Sequence, residues 1–162
     1  MYYHIPEAID NIAKWYDALP TFDKSAAYQW KDLSTETNKQ VERLLKLYPV
    51  EILRVTGQPY ADIDEIQADV ERGQLQVTTD HSEHPVWTEE ENFNFRIWHD
   101  LTHYEILADF SYLGEVKVYR KQVAHLFAHT SLPIASIRHA LFTEVIGQAA
   151  SAIVNKKFNA QK

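Results

Sequence analysis

The last predicted helix, residues 133 to about 158, constrains the fold more than any other segment. Apolar residues occupy nearly all of its circumference, and a helix that is apolar all round lies in a protein core. Its polar residues fall on one narrow line at i, i+4, i+7 and i+11, namely Glu144, Gln148, Ser151 and Asn155. Because buried polar groups need hydrogen-bond partners, another helix must present a matching polar strip.

A second predicted helix carries such a strip. Thr88 and Glu91 form a capping-box pattern that begins this helix, and it is expected to run to about Asp109. The strip consists of Arg96, His99, Asp100 and His103, which fall within about 100° of one another on a helical wheel. Apolar residues flank it on both sides, so it faces inward. Two histidines four residues apart share a helix face and can hold one ion between them.

The remaining elements predict a mainly α-helical α+β protein, with a bundle-like helical body and a small two-stranded β element. Helical spacing follows Pro6 up to Pro20, and again from an N-cap at Asp23 up to Pro49. Residues 51–56 and 74–78 alternate as strands do, on either side of a short helix over residues 62–72. A further helix is expected over residues 115–130. With no linker or repeat, residues 1–162 are interpreted as a single domain.

Composition narrows the function classes. The 162 residues include 23 acidic and 16 basic side chains, a formal net charge of -7, which disfavours binding to a nucleic-acid backbone. The chain has no cysteine, so any metal must be held by His, Asp or Glu. Neither a signal-peptide layout nor a run of about 18 apolar residues is present, and a cytoplasmic protein without a membrane span is expected.

Two imidazoles with one or two carboxylates from other helices form a ligand set for Zn, Fe or Mn. His99 and His103 are the predicted ligands. Glu144 on the polar line of the last helix completes the set, or Glu115 does, since it faces inward near the start of its own helix. The carboxylate ligand is left open between the two. Gln148 is predicted to support these ligands by hydrogen bonding.

Asp100 and Arg96 are the predicted catalytic residues. Asp100 either orients a ligand or guanidinium, or acts as general base on a metal-bound water. Arg96, one turn away, either pairs with Asp100 or receives an anionic group of the substrate. A strip that only joins helices through hydrogen bonds is the structural alternative. Histidines 125 and 129 are interpreted as structural, and histidines 81 and 84 as solvated loop residues, with the alternative that His84 and Pro85 help to fix the loop.

Six blocks of the chain carry a resemblance: residues 19–23, 58–60, 84–92, 95–103, 114–115 and 140–148. They resemble, in the same order, a family of bacterial and phage proteins with a pattern like HPxLTxEENxxFRxxHDxxGH, then GEE, then ALxTExxGQ. The motif positions that the resemblance marks are Asn92, Arg96, His99, Asp100, His103, Glu115, Glu144, Gly147 and Gln148. It alone implies Asn92 as a supporting residue of the site.

The sequence departs from that pattern at two positions. Thr102 stands where the family usually has Gly, and Val116 replaces the second Glu, so no role is expected for a second carboxylate there. The family has no assigned reaction. The resemblance therefore implies site residues without naming a chemistry.

The residues favour a divalent-metal-dependent hydrolase acting on a small molecule or peptide. H-D-x-x-H is similar to the H-E-x-x-H of zinc peptidases, but Asp is one methylene shorter, which weakens that analogy. A ferritin-like metal oxidase or oxygenase is an alternative, although its Glu-x-x-His motifs are missing. An HD-type phosphohydrolase lacks a suitable downstream Asp, since Asp109 is on the same helix. The last alternative is a non-catalytic, phage-related accessory or binding protein with a structural polar network.

Overall fold

The computed structural model describes residues 5–156, which form a mainly helical structure with a small sheet. The elements in chain order are α1 (Ile5–Ala18), α2 (Ala27–Leu47), β1 (Glu51–Val55), α3 (Ile63–Glu71), β2 (Gln74–Thr78), α4 (Glu89–Ile106), α5 (Tyr112–His129), α6 (Ile134–Phe142), a π-helical turn (Thr143–Gly147) and α7 (Gln148–Asn155). The predicted mainly α architecture with a small two-stranded β element is confirmed.

The two strands pair in parallel, in register from Glu51 opposite Gln74 to Val55 opposite Thr78. Parallel neighbours need a crossover connection, which α3 supplies. Because both strands run the same way, the loops that follow them emerge at the same edge of the sheet, where α/β proteins commonly bind ligands. Both loops contribute to the cavity described below.

The centre of the core is α4, which packs between α2 and α5 and also contacts α3 and β2. Trp98 and Leu101 on this helix are completely buried. Burial of a large apolar side chain contributes roughly 2–3 kcal/mol, so α4 is held firmly on its apolar faces. The polar residues on the rest of α4 are thereby fixed in position.

A π-helical turn interrupts the last helix. Such a turn inserts an additional residue into helical geometry, and it is frequent at functional sites. Before it, α6 packs on α2 and α5; after it, α7 packs mainly on α1. Gly147 permits this approach, because a Cβ there would lie 2.6 Å from Cδ2 of Tyr16.

Three details differ from the sequence prediction. The Asp23 carboxylate accepts hydrogen bonds from Ser25 in a turn, and α2 begins after Ala26 without a side-chain cap. The end of α4 comes at Ile106, where Leu107 adopts a left-handed conformation with φ 49°. The last helix is not buried on all sides, because residues 153 and 154 in its final turn are exposed to solvent. Its predicted end at residue 158 lies outside the described residues.

Candidate metal centre

His99 and His103 lie one turn apart on α4 and approach each other closely. The start of α4 is fixed by the predicted capping box: Thr88 Oγ1 accepts from the Glu91 N–H at 3.2 Å, and the Glu91 carboxylate accepts from the Thr88 N–H at 2.8 Å. The two imidazole rings are 4.7 Å apart between centroids, and their Nε2 atoms are 3.1 Å apart. The structure therefore brings the predicted histidine pair together.

Glu115 reaches both imidazoles from α5. Ser111 caps this helix by accepting a hydrogen bond from the Gly114 N–H, which places Glu115 in the first turn. Its Oε2 lies 3.2 Å from His99 Nε2, and its Oε1 lies 3.4 Å from His103 Nε2. Burial by itself would raise the pKa of the Glu115 carboxyl, but the two histidines lower that pKa to about 2. Glu115 is therefore ionised at neutral pH, as a metal ligand must be.

The tautomer of His103 is set by the backbone. Its Nδ1 lies 3.0 Å from the carbonyl oxygen of Ala108, which can only accept a hydrogen bond. Nδ1 therefore carries a proton, and in the neutral ring the lone pair is on Nε2, the atom that faces His99 and Glu115. The Ala108 N–H donates in turn to the His103 carbonyl at 3.1 Å, and the left-handed Leu107 between them makes this return of the chain possible.

The spacing of these atoms fits a bound ion. One ligand atom from each of His99, His103 and Glu115 lies within 4.8 Å of the others. Metal bonds of about 2.0–2.2 Å place neighbouring ligands about 2.8–3.6 Å apart in octahedral or tetrahedral geometry. The two Nε2 atoms are 3.1 Å apart, and the nearest Glu115 oxygens, Oε2 and Oε1, lie 3.2 Å from His99 and 3.4 Å from His103, so each pair is within that range. This group can hold a metal ion, and three protein ligands leave a coordination position open, as in catalytic zinc sites.

The three ligands line a cavity of about 750 Å³. One wall comes from α4, another from the π-helical turn and α7, and a third from the loops that follow β1 and β2. The α7 wall is apolar, with Ala149, Ala152 and Ile153 facing the space. A volume of this size suits a small molecule or part of a peptide.

Asp100 lines the same cavity, next to the ligands in the chain. Burial raises the pKa of its carboxyl, and the nearby imidazoles and Arg96 only partly oppose this. A carboxyl with a raised pKa exchanges a proton at a pH closer to neutral, which is what a general base or acid requires. The position agrees with the predicted catalytic role, which remains a prediction.

Arg96 also lines the cavity, but its guanidinium is used to hold a loop. It donates three hydrogen bonds, at 2.6–2.9 Å, to backbone carbonyl oxygens of the loop after β2, those of Thr78, Asp80 and His81. The sequence predicted a pairing with Asp100 or with an anionic substrate group. In the structure Arg96 fixes one cavity wall, and its predicted catalytic role remains a prediction.

Glu144 lies in a different hydrogen-bonded group. Its Oε1 accepts from Trp30 Nε1–H and from His84 Nε2–H, both at 3.0 Å, and the His84 and Glu144 side chains are 0% and 1% exposed. His84 Nδ1 accepts from the backbone N–H groups of Val86 and Trp87, so its proton is on Nε2. One prediction is corrected here, because the His84 side chain is buried. Of the two carboxylates that the sequence left open, Glu144 lines the cavity outside the group formed by His99, His103 and Glu115.

The predicted polar line of the last helix divides at the π-helical turn. Gln148 faces the cavity, in agreement with an inward position, but Ser151 and Asn155 donate to the Asp17 carboxylate of α1 at 2.6 and 3.0 Å. Only the first half of the line therefore reaches the cavity. The second half ties α7 to α1.

Two further buried amides border the site. Asn92 is fully buried and its Nδ2 donates to the Ser82 carbonyl at 2.9 Å, so it holds the loop before α4 in place. Gln122 on α5 is also fully buried and lies against His99. The sequence places Gln122 on the same face as Glu115, seven residues earlier, but it assigns no role to this amide. That spacing was the available signal.

His125 belongs to a separate buried pair. Its Nε2 lies 2.9 Å from Glu105 Oε2, and its Nδ1 accepts from Trp98 Nε1–H at 3.3 Å. Burial lowers the pKa of His125, and the nearby Glu105 carboxylate opposes this only in part. The arrangement agrees with the structural role predicted for His125.

Comparison of the chain with protein-family models, with curated proteins and with solved structures found no match. Among residues 5–156, no helix is long and apolar enough to cross a membrane. The geometry of the site is therefore the basis for assigning a function.

Proposed function

We propose that this protein is a metal-dependent hydrolase whose divalent ion is held by His99, His103 and Glu115. The observation that carries the proposal is that one ligand atom from each of these three residues lies within 4.8 Å of the others, at the wall of a large cavity. A bound ion would polarise a substrate carbonyl and lower the pKa of a coordinated water. Asp100 is the group that we assign to accept the proton of that water.

Two histidines and one glutamate are the ligands of several zinc peptidases, which supports hydrolysis of an amide or ester bond. The charges around the cavity further limit the class of substrate that it can bind. Of the described residues that line it, five are acidic, at positions 80, 83, 100, 115 and 144, and Arg96 is the one with a permanent positive charge. Such a cavity disfavours anionic substrates. We therefore propose a neutral or cationic small molecule or peptide with an apolar part for the α7 wall.

The same ligand set supports a second candidate. Two histidines and a carboxylate with open positions also form the facial triad of non-haem Fe(II) oxygenases. An oxidase or oxygenase is thus favoured if the ion is iron, and a hydrolase if it is zinc. A ferritin-like pair of metals would need a second group of ligands, whereas one group of three is found among the described residues.

The first experiment measures the metal content of the purified protein and the affinity of the chelator-treated protein for Zn²⁺, Mn²⁺ and Fe²⁺ by titration calorimetry. One ion per chain is expected, with zinc favouring the hydrolase. Glu115→Gln and His103→Ala should lose the binding. His129→Ala, in the exposed last turn of α5, is the matched control and should bind as the parent does. Absence of stoichiometric binding by any of the three ions would overturn the proposal.

The second experiment separates metal binding from chemistry. Asp100→Asn should retain the metal affinity and lose hydrolysis of a panel of neutral, cationic and anionic esters and amides. Activity on the neutral and cationic members alone would support the charge argument. Full activity of Asp100→Asn would exclude Asp100 as the proton acceptor.

A further inference from the structure

Two buried polar groups beside the proposed metal ligands are left without aligned hydrogen bonds. Gln122 is 0% exposed, and neither its Oε1 nor its Nε2 has a partner among the described residues. The Nδ1 atom of His99 is also buried and has no hydrogen-bond partner among the described residues. Buried polar atoms without partners are costly and rare, so each asks for a physical explanation.

The two groups are neighbours. Glu115 and Gln122 are seven residues apart on α5 and therefore share one face of that helix. Glu115 approaches His99 at Nε2, and the Gln122 amide also lies close enough to His99 to interact with it. Since Nε2 already faces Glu115 and His103, Nδ1 is the nitrogen left for the amide. A small rotation of the Gln122 side chain would satisfy both groups with one hydrogen bond.

The direction of that hydrogen bond determines whether His99 can bind an ion. A neutral imidazole carries its proton on one nitrogen and a lone pair on the other. If Nδ1–H donates to Gln122 Oε1, the lone pair is on Nε2, the atom that faces Glu115 and His103. His103 has the same arrangement, with the Ala108 carbonyl as its acceptor.

We propose that Gln122 is a positioning residue of the metal centre, which accepts the Nδ1–H of His99 and leaves Nε2 free to coordinate the ion. This inference rests on the proposed metal-binding function. The opposite arrangement places the proton on Nε2, where it donates to His103, and turns the amide nitrogen of Gln122 toward Nδ1. In that arrangement the two histidines form a purely structural hydrogen bond.

The first test reads the tautomer directly in the metal-free protein. The ¹⁵N chemical shifts of the His99 imidazole should show a proton on Nδ1 at a pH where the ring is neutral. Gln122→Leu, which keeps the approximate size and removes the acceptor, should shift the ring toward the Nε2–H form. A proton on Nε2 in the parent protein would overturn the inference.

The second test measures Zn²⁺ affinity. Gln122→Leu is expected to bind Zn²⁺ about 10- to 100-fold more weakly, the usual effect of losing a group that orients a metal-ligating histidine. Its metal-free form should melt at a slightly lower temperature than the parent, because the buried Nδ1–H of His99 loses its acceptor. A residue with only a structural role would change the melting temperature and leave the affinity unchanged.

Two further variants keep the test decisive. Gln122→Glu supplies a stronger acceptor, so Zn²⁺ affinity should equal or exceed that of the parent while the metal-free form loses stability from a buried charge. Thr37→Val is the matched control, because it removes another fully buried polar atom without a partner, on α2 and away from the cavity lining. It should leave the affinity unchanged.

The outcomes separate the inference from the proposed function. A parent protein that binds no Zn²⁺, Mn²⁺ or Fe²⁺ would refute the metal site itself. Tight binding by the parent with equal affinity in Gln122→Leu would refute the role of Gln122 alone. Weaker binding in Gln122→Leu, recovered in Gln122→Glu, would support both.

Discussion

Replacing Gly114 with alanine tests whether the turn between α4 and α5 holds the metal group in place. A Cβ at this position would overlap the backbone carbonyl oxygen of Asp109 and lie 2.8 Å from its carbonyl carbon. Both are backbone atoms, so no side-chain rotation can relieve the overlap. The first turn of α5, which carries Glu115, must move away from the turn that carries Ala108 by roughly 1 Å to restore ordinary contact.

Two effects of opposite sign determine how much Gly114→Ala changes the free energy of unfolding. Alanine favours a helix over glycine by about 1 kcal/mol. Overpacking of a rigid site costs about 1–3 kcal/mol and sometimes more, so a net destabilisation of roughly 1–2 kcal/mol is expected. In a chain of this length that lowers the melting temperature by about 2–8 °C. Because metal bonds tolerate displacements of only about 0.2 Å, Zn²⁺ affinity should fall at least tenfold.

The assay combines thermal melting of the metal-free protein with calorimetric titration of Zn²⁺. Gly147→Ala is the control, because its Cβ would meet the Tyr16 ring at 2.6 Å, in contact with α1 and not with the three ligands. It should melt lower than the parent and bind Zn²⁺ equally well. Parental melting and parental affinity in Gly114→Ala would refute the reasoning, and so would an equal loss of affinity in both variants.

Three more predictions concern stability. Burial would raise the pKa of Glu91, but hydrogen bonds from the Thr88 N–H and from Lys31 lower it from 4.5 to about 2. The contribution of Glu91 to folding stability is therefore present above pH 4.5 and lost as the pH falls toward 2. In urea unfolding, Glu91→Gln should lose roughly 1–3 kcal/mol at pH 7 and much less near pH 2, and equal losses at both pH values would contradict this. Leu107→Gly should be neutral or stabilising by up to about 1 kcal/mol in the same assay, because the exposed Leu107 has a left-handed backbone, and a clear loss of stability would show that its side chain packs. His84→Ala should lower the free energy of unfolding by about 2–4 kcal/mol, because it removes a donor to the buried Glu144 carboxylate and the acceptor of two backbone N–H groups. The control is His81→Ala in the exposed loop, which should leave the free energy of unfolding almost unchanged.

Local signals predicted much of the fold and part of the site. The Thr88–Glu91 capping box sets the start of α4, and helical spacing from there brings His99 and His103 together. The position of Glu115 in the first turn of α5 also follows from its local sequence. These features depend on contacts within a few residues, which periodicity and capping patterns describe well.

The remaining features depend on contacts between distant parts of the chain. His84 was expected in solvent because its neighbours are polar, but its imidazole is buried against Glu144, 60 residues later. The choice between Glu115 and Glu144 also stayed open in the sequence, because a helical wheel assumes a constant period, and the π-helical turn breaks that period within the polar line. No short-range sequence pattern in residues 143–147 predicts a π-helical turn.

The hydrogen bond from His103 to the Ala108 carbonyl has a consequence for how the site can vary. Every amino acid carries the same carbonyl oxygen, so a point mutation at position 108 can disturb packing but cannot delete the acceptor. A side-chain acceptor, in contrast, is lost through one substitution. Random mutagenesis should therefore rarely change the proton position on His103. Substitutions that change the metal affinity should instead be found among the residues that surround His99.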